Sequence, residues 1–237
     1  MPHIGDTRYA VVSAHVERPL DDRVWERFAH LREQVPFRIA ALIRPPAEGE
    51  DEERWLERAR EAATRGPFGL HTHWTSPTHA RPTAGDPAAR VRREVEWLRS
   101  RGLAPRFFAG GGWYMDEKLA ETLAELGLVD TTATAFRPGY LEPGAPRLAL
   151  AEPALLAVAG GRLLEIPVTH SLGMLVRTVV GPLPAVVHAY FHDTELIDRR
   201  RAAALRFALA VLARRCRVSD LDEVSRLEWP EAQAFGR

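Results

Sequence analysis

The chain has 237 residues, of which 46% are hydrophobic and 27% are charged, and its 32 basic residues balance its 32 acidic ones. This composition is typical of a globular protein and excludes disordered, collagen-like and disulfide-stapled classes. The neutral balance, without a block of basic residues, argues against a general binder of nucleic acid or of anionic membranes and favours carbohydrate or small-molecule partners.

The number of cysteines and the N-terminal residues indicate the cellular compartment. Cys216 is the single cysteine, so no internal disulfide can form, which favours a reducing compartment. Residues 1–9 lack the basic and apolar pattern of a leader, and no apolar run approaches the roughly 18 residues of a membrane span. We therefore expect a cytoplasmic protein with no membrane span, folded as one domain over residues 1–237. The sequence does not indicate an oligomeric state.

Short apolar runs alternate with helical patterns along the chain. Strands are predicted at residues 9–14, 37–43, 67–70, 106–109, 128–133 and 185–191, and helices at 22–31, 51–65, 86–98, 116–126 and 194–215. A hairpin with a Gly160-Gly161 turn is predicted over residues 155–168, after a long loop at 137–153. The alternation predicts an α/β fold with a mainly parallel sheet, and this many units favours closure into a deformed (β/α) barrel.

Polar residues gather where the predicted strands end. These places are His15 with Glu17, His71 with His73, the segment 107–113, and His192 with Asp193. Residues two apart in a strand point the same way, so each pair can aim at one site. Two imidazoles and a carboxylate on converging strand ends make a plausible set of ligands for zinc or a related divalent metal. A hydrogen-bonded structural histidine is the ordinary alternative for any one of them.

These segments, in this order, resemble the polysaccharide deacetylase superfamily (NodB type, carbohydrate esterase family 4). The stretch 69–74, Gly-Leu-His-Thr-His-Trp, looks like the histidine motif of that family. The stretch 107–113 is similar to its glycine-bearing loop, and 127–132 to its Asp-Ser-Ser-like strand. The stretch 190–193, Tyr-Phe-His-Asp, resembles its final histidine motif, and 12–17 takes the place of its acidic first motif. The resemblance runs from about residue 9 to residue 224.

The resemblance implies a divalent metal, often zinc, bound by an acid and two histidines. By position, Glu17 is the acidic ligand, His71 the first histidine ligand and His192 the general acid. The chain departs from the family at three places: His15 stands where the base Asp is expected, Thr75 where the second histidine ligand lies, and Phe108 where an Arg steadies the base. We expect His73 to replace the missing ligand. His15 is then either the base or itself a metal ligand.

Further residues beside these motifs are candidates for contact with substrate. Trp74 and Trp113 could stack on a sugar ring, with buried packing as the alternative. Gly111 permits close backbone approach to the site. His170 could line the pocket, although a solvated loop histidine is the ordinary interpretation. The remaining candidates are His188 as a buried supporting residue, and His79 and Asp130 as outlying members of the site.

The sequence therefore favours a metal-dependent hydrolase that removes an acyl group, N-acetyl in the first instance, from a carbohydrate or a sugar-linked small molecule. The absence of the family's base Asp, second histidine ligand and Arg also supports a catalytically reduced carbohydrate-binding protein. A different metal-dependent C–N hydrolase on the same barrel is the third hypothesis, since a fold does not fix a function.

Overall fold

The structure is a computed structural model that describes residues 7–74, 85–138, 146–178 and 180–233. Within these ranges eleven strands form one sheet in the order β11-β6-β7-β5-β4-β3-β2-β1-β9-β8, with β10 paired to β1. The strands are β1 Tyr9–Val16, β2 Ala40–Ile43, β3 Phe68–Thr72, β4 Phe107–Gly110, β5 Val129–Asp130, β6 Ala154–Val158, β7 Gly161–Glu165, β8 His170–Ser171, β9 Val186–His192, β10 Arg217–Val218 and β11 Glu231–Gln233. The β6–β7 pair is antiparallel and the other pairs are parallel, as predicted.

Helices connect the parallel strands. They are α1 Asp22–Gln34, α2 Glu52–Arg65, α3 Pro87–Ser100, α4 Glu117–Leu126, α5 Leu172–Thr178, α6 Arg199–Arg215 and α7 Leu221–Val224. All of these except α5 begin after an aspartate whose carboxylate accepts a hydrogen bond from a backbone N–H of the first turn. Such caps satisfy N–H groups that have no partner within the helix. No helix in the described ranges is long and apolar enough to cross a membrane.

The sheet closes on itself through one extended segment, residues 165–171. On one side Glu165 pairs with Asp130 of β5, and Val168 forms a bridge to Thr134. On the other side His170 of β8 pairs with β9. The same segment therefore joins both edges of the parallel array β5-β4-β3-β2-β1-β9, which confirms the predicted deformed barrel.

Several predicted elements differ in extent by a few residues, among them those at 128–133 and 194–215. The predicted strand at 128–133 shortens to β5, and just after it the Thr131 hydroxyl donates to the Phe108 carbonyl, which also accepts the Thr131 N–H. The predicted helix at 194–215 is broken at Asp198, whose carboxylate accepts N–H groups of α6, and a 3-10 helix, Asp193–Ile197, precedes it. In both cases a short polar side chain competes for backbone hydrogen bonds.

Asp130 and Glu165 bring two fully buried carboxyl groups together at the β5–β7 seam. Burial raises the pKa of both, and the charge of Asp130 raises that of Glu165 further. Oδ2 of Asp130 and Oε2 of Glu165 have no hydrogen-bond partner among the described residues. Two carboxylates cannot both stay charged at such a contact, so Glu165 carries the shared proton. Thr132 also donates to Asp130, while Ala133 N–H donates to Glu165. Asp130, an outlying candidate for the functional site, therefore lies in the seam of the barrel.

The Glu165→Gln variant tests this shared proton. Because the folded-state pKa of Glu165 is raised, it contributes stability that is full below its ordinary pKa near 4.5 and is lost as the pH rises through the raised value. An amide can donate to Asp130 without binding a proton, so thermal unfolding of the variant between pH 5 and pH 8 should depend less on pH. The exposed Glu26→Gln on α1 is the matched control. Equal pH slopes for both variants and the parent would contradict the shared proton.

Candidate active site

The polar residues predicted at strand ends do meet at one edge of the barrel. His15 lies near the end of β1 and pairs in register with His192, the last residue of β9. His71 lies near the end of β3, one strand beyond β2. Glu17 and His73 follow directly after β1 and β3. Because carboxyl ends of parallel strands share one edge, residues far apart in the chain become neighbours there.

Glu17, His71 and His73 form a compact group whose ligand atoms all lie within 4.8 Å of one another. The two Nε2 atoms of His71 and His73 are 3.2 Å apart. Glu17 Oε1 lies 3.4 Å from Nε2 of His73 and 3.9 Å from Nε2 of His71. One carboxylate and two imidazoles are a donor set that zinc and similar ions accept, with room for a further ligand. These residues therefore fit a divalent cation.

The orientation of His71 is fixed from outside the group. Its Nδ1 lies 3.0 Å from the Ala109 carbonyl on β4. A carbonyl oxygen only accepts, so Nδ1 carries the proton and Nε2 keeps a free lone pair that faces His73 and Glu17. Burial, and then the neighbouring His73, lower the pKa of His71 to about 3. The ring is therefore neutral and ready to act as a ligand at ordinary pH.

His15 stands beside the group rather than within it. Its ring stacks on His71, with centroids 4.2 Å apart and planes 25° from parallel. Nε2 of His15 is buried and has no hydrogen-bond partner among the described residues. Burial, followed by the charges of His71 and His192, lowers the pKa of His15 well below its ordinary value. A neutral imidazole with an unused nitrogen next to the group can accept a proton.

Glu17 and His192 are neighbours at the partly exposed side of the site. Burial alone would raise the pKa of Glu17, but the hydrogen bond with His73 and the charge of His192 lower it to about 2. Nε2 of His192 lies 3.5 Å from Glu17 Oε1, and Nδ1 lies 3.8 Å from Glu195 Oε2. Burial opposes the charge on His192, but Glu195 and Glu17 raise its pKa above the ordinary value. The ring is about one-third exposed, so it reaches solvent.

Helix α3 holds the end of β3 from outside the barrel. Thr72 points away from its neighbours His71 and His73 and donates to Glu94 at 2.6 Å. Arg90 donates to Glu94 and to the Trp74 carbonyl, at 2.7 and 2.6 Å. The backbone of the histidine motif is thus fixed on both sides of His73.

The predicted substrate-contacting residues fall into two groups. Trp113 is buried beside His15 and Tyr190, with ring centroids at 5.5 and 4.8 Å, and its φ of 60° is uncommon for a residue with a side chain. Trp74 is buried too, but it donates to the Gly111 carbonyl at 2.8 Å and packs outside the histidine group. Both tryptophans are thus buried, and their contact with a sugar ring stays a prediction.

His170 is not the solvated loop histidine that the sequence suggested. It lies in β8, is 8% exposed, and its Nδ1 is 2.8 Å from Thr169 Oγ1. Pairing of β8 with β9 buries the ring. His188 is buried as predicted, with Nε2 2.9 Å from Ser13 Oγ. Thr75 and His79 lie outside the described residues.

Sequence reasoning missed two residues of the site. Tyr190 lies 5.1 Å from His15 and 5.5 Å from His192 between ring centroids. Its position two residues before His192 in a strand was a sufficient signal, since alternate residues share a face. Glu195 accepts the backbone N–H of His192 at 3.0 Å. Its spacing of three residues is that of a capping box, which the prediction of a continuous helix concealed.

Comparison with known proteins places this geometry on a known fold. No protein-family model and no curated protein matches the sequence. A carbohydrate esterase family 4 protein from Streptomyces lividans, solved in complex with acetate, has a TM-score of 0.54 at 13% identity, over 94% of this chain and 98% of its own. A family 4 pseudoenzyme from Bacillus anthracis has a TM-score of 0.57 at 9% identity, over 98% and 70%. The chain has the polysaccharide deacetylase fold.

The structures that resemble this chain are not confined to esterases. A 4-alpha-glucanotransferase from Thermococcus litoralis matches with a TM-score of 0.62 at 12% identity over 97% of this chain, which spans 42% of that protein. The predicted structural resemblance is thus confirmed. At these identities the likeness concerns the fold, and any function has to be argued from the site.

The tautomer of His71 can be checked by NMR of the metal-free protein labelled with ¹⁵N-histidine. We expect Nδ1 to be protonated and Nε2 unprotonated, with no titration between pH 5 and pH 8, because burial and the Ala109 carbonyl favour this neutral form. The His71→Gln variant assigns the signal. A His71 ring that titrates near 6.5, or that carries its proton on Nε2, would contradict the arrangement.

Proposed function

We propose that this protein is a divalent-metal-dependent hydrolase that removes an acyl group, N-acetyl in the first instance, from a carbohydrate or a sugar-linked small molecule. The observation that carries the proposal is the convergence of Glu17, His71 and His73 within 4.8 Å, directly beside the buried His15. The deacetylase fold raises the expectation that such a site at this edge of the barrel acts on acylated sugars.

Glu17, His71 and His73 would hold the ion. When bound, a divalent cation supplies Lewis-acid polarisation of an acyl carbonyl and makes water a better nucleophile at neutral pH. The surroundings of these residues prepare them for ion binding. They keep the Glu17 carboxylate charged and the His71 ring neutral. We expect zinc to suit this set, because imidazole and carboxylate are ligands that it prefers.

His15 and His192 would move the protons. His15 takes a proton from the attacking water as a C–O bond forms at the acyl carbon. His192, which is partly exposed and lies 3.5 Å from Glu17, gives a proton to the nitrogen as the C–N bond breaks. The products are a carboxylate and an amine, and the two histidines exchange protons with solvent to return to their starting states. Trp113 and Tyr190 enclose the His15 side of this centre.

A second candidate is a protein that binds an acylated carbohydrate without hydrolysing it. It is favoured by His15 and Phe108, which occupy positions where the resembling family has an Asp and an Arg. The family 4 pseudoenzyme from Bacillus anthracis shares the fold. Retained metal and sugar binding without release of acetate would distinguish this function from the first.

Metal content tests the ligand set. Protein purified without added metal should carry a nearly stoichiometric divalent ion, and His71→Ala should lose most of it, because one of three ligands is removed. His30→Ala is the matched control, since His30 is an exposed histidine on α1 whose hydrogen bond is to Gln34. A parent protein that neither contains nor takes up zinc would end the enzyme proposal.

Acetate release from N-acetylated amino sugars tests the role of His15. His15→Ala should lower kcat by roughly 10²–10⁴-fold, the usual contribution of a general base, while the metal content stays at the parent level. His30→Ala should leave both unchanged. Undiminished activity would remove His15 from the mechanism, and loss of the ion with His15→Ala would make it a ligand instead of a base.

A further inference from the structure

Helix α6 has a charge pattern that differs from that of the other long helices. Its seventeen residues include six arginines and no Asp or Glu, and the neighbouring α5 adds Arg177 and no acid. By contrast α1, α2 and α3 each contain both arginines and acidic residues. The neutral balance of the whole chain therefore conceals a one-sided basic region. A general preference for arginine over lysine does not explain why carboxylates are missing here.

The basic helix also carries an apolar residue on its solvent side. Ala203, Phe207, Ala210 and Arg214 follow each other at the spacing of one helix face. This face lies opposite the buried residues, which are Ala202, Leu205, Ala208, Leu209 and Leu212. Phe207 is 62% exposed, so a full aromatic ring projects into solvent from the middle of the helix.

The exposed apolar residues are concentrated around α6. Phe207, Val180 and Val176 are the large hydrophobic residues that are exposed within the described ranges, and Val176 lies on α5. Helices α5 and α6 pack together, and Arg215 donates to the Gly181 carbonyl, next to Val180. We call this region, formed by α5, α6 and Val180, the α5–α6 face.

Much of the positive charge of the α5–α6 face is not neutralised by the protein. Arg201 pairs with Glu195, but neither Arg206 nor Arg214 forms an ion pair with a described residue. Both belong to the exposed part of the helix. Guanidinium groups around an exposed aromatic ring are the arrangement of a helix that lies in the interface of an anionic bilayer, with the ring among the acyl chains and the cations at the phosphates.

We propose that the α5–α6 face docks the protein on anionic phospholipid membranes, with Phe207 inserted and Arg206 and Arg214 at the lipid phosphates. A second copy of the chain is a poorer occupant, because a two-fold contact along α6 would bring arginines against arginines. Nucleic acid would use the arginines but leave the exposed Phe207 and Val180 without a role. The proposal does not depend on the proposed hydrolase activity.

Docking in this way would orient the proposed active site. α6 begins at Arg199, directly after the 3-10 helix that follows His192, so its first turn lies toward the edge of the barrel that carries the histidine group. Arg214 and Val180 lie toward the opposite edge, near the start of β9. A protein lying on α6 would therefore rest on the side of the barrel, with the edge that carries the histidine group facing along the lipid surface.

Co-sedimentation of the full chain with vesicles tests the proposal. We expect binding to mixed phosphatidylcholine and phosphatidylglycerol vesicles, weaker binding as salt is raised, and little binding to phosphatidylcholine alone. The double variant Arg206→Ser/Arg214→Ser should lower the partition coefficient by roughly tenfold or more. Phe207→Ser should also weaken binding, with no loss of thermal stability, because the ring is largely exposed.

The matched control is Arg23→Ser/Arg27→Ser, which removes the same charge from the exposed side of α1, a helix that also carries acids. It should bind vesicles like the parent. An equal loss of vesicle binding in both double variants, or no binding of the parent protein to anionic vesicles, would overturn the proposal. Tighter binding of duplex DNA than of vesicles would assign the face to nucleic acid, and concentration-dependent self-association abolished by Phe207→Ser would assign it to a second copy. Either result would also overturn membrane docking.

Discussion

The parallel register of β1 against β9 is the constraint on which the candidate site depends. It sets His15 opposite His192 and leaves Glu17 just beyond the strand. A slip of one residue would turn the site-facing side chains of β1 to the other face. The register is secured by complete burial of all eight residues of β1, and deeper in the barrel by the contact between Ser13 and His188.

Desolvation then gives the histidines different properties. His15 and His71 are surrounded by rings and backbone, so their neutral forms dominate, while His192 remains partly exposed between two carboxylates. Glu17 is the negative charge that His71, His73 and His192 share. A partly buried carboxylate beside the free lone pair of a neutral imidazole is an environment that favours a metal cation. The proposed hydrolysis and the proposed cation binding therefore depend on the same arrangement of charges.

Much of the architecture could be predicted because each element has a local cause. Apolar strands and Asp-capped helices can be predicted directly from the sequence, and the alternation of the two implies parallel pairing. The grouping of Glu17, His71 and His73 was predictable because strand periodicity aims alternate residues at one edge. The extents of β5 and α6 were not, because Thr131 and Asp198 take part in hydrogen bonds that depend on the folded backbone.

Other features needed three-dimensional information. The seam between Asp130 and Glu165 joins residues far apart in the chain, and neither residue lies in a local sequence pattern that predicts the pairing. His170 was expected in solvent because its strand, β8, has only two residues and gives no periodic signal. The charge of α6 was visible in the sequence, but its meaning changed once the exposed position of Phe207 was known.

The strands that carry the site pair over large sequence separations, and this affects folding during biosynthesis. The contact between Ser13 and His188 spans 175 positions, and the closing segment is followed by β9, the last strand of the array that carries the histidine group. A fold dominated by such distant contacts forms slowly, because loop closure must precede the contacts that stabilise it. On the ribosome, the first strand must therefore wait for most of the polypeptide before it is covered on both sides. Until then its apolar surface is open to chaperones or to aggregation.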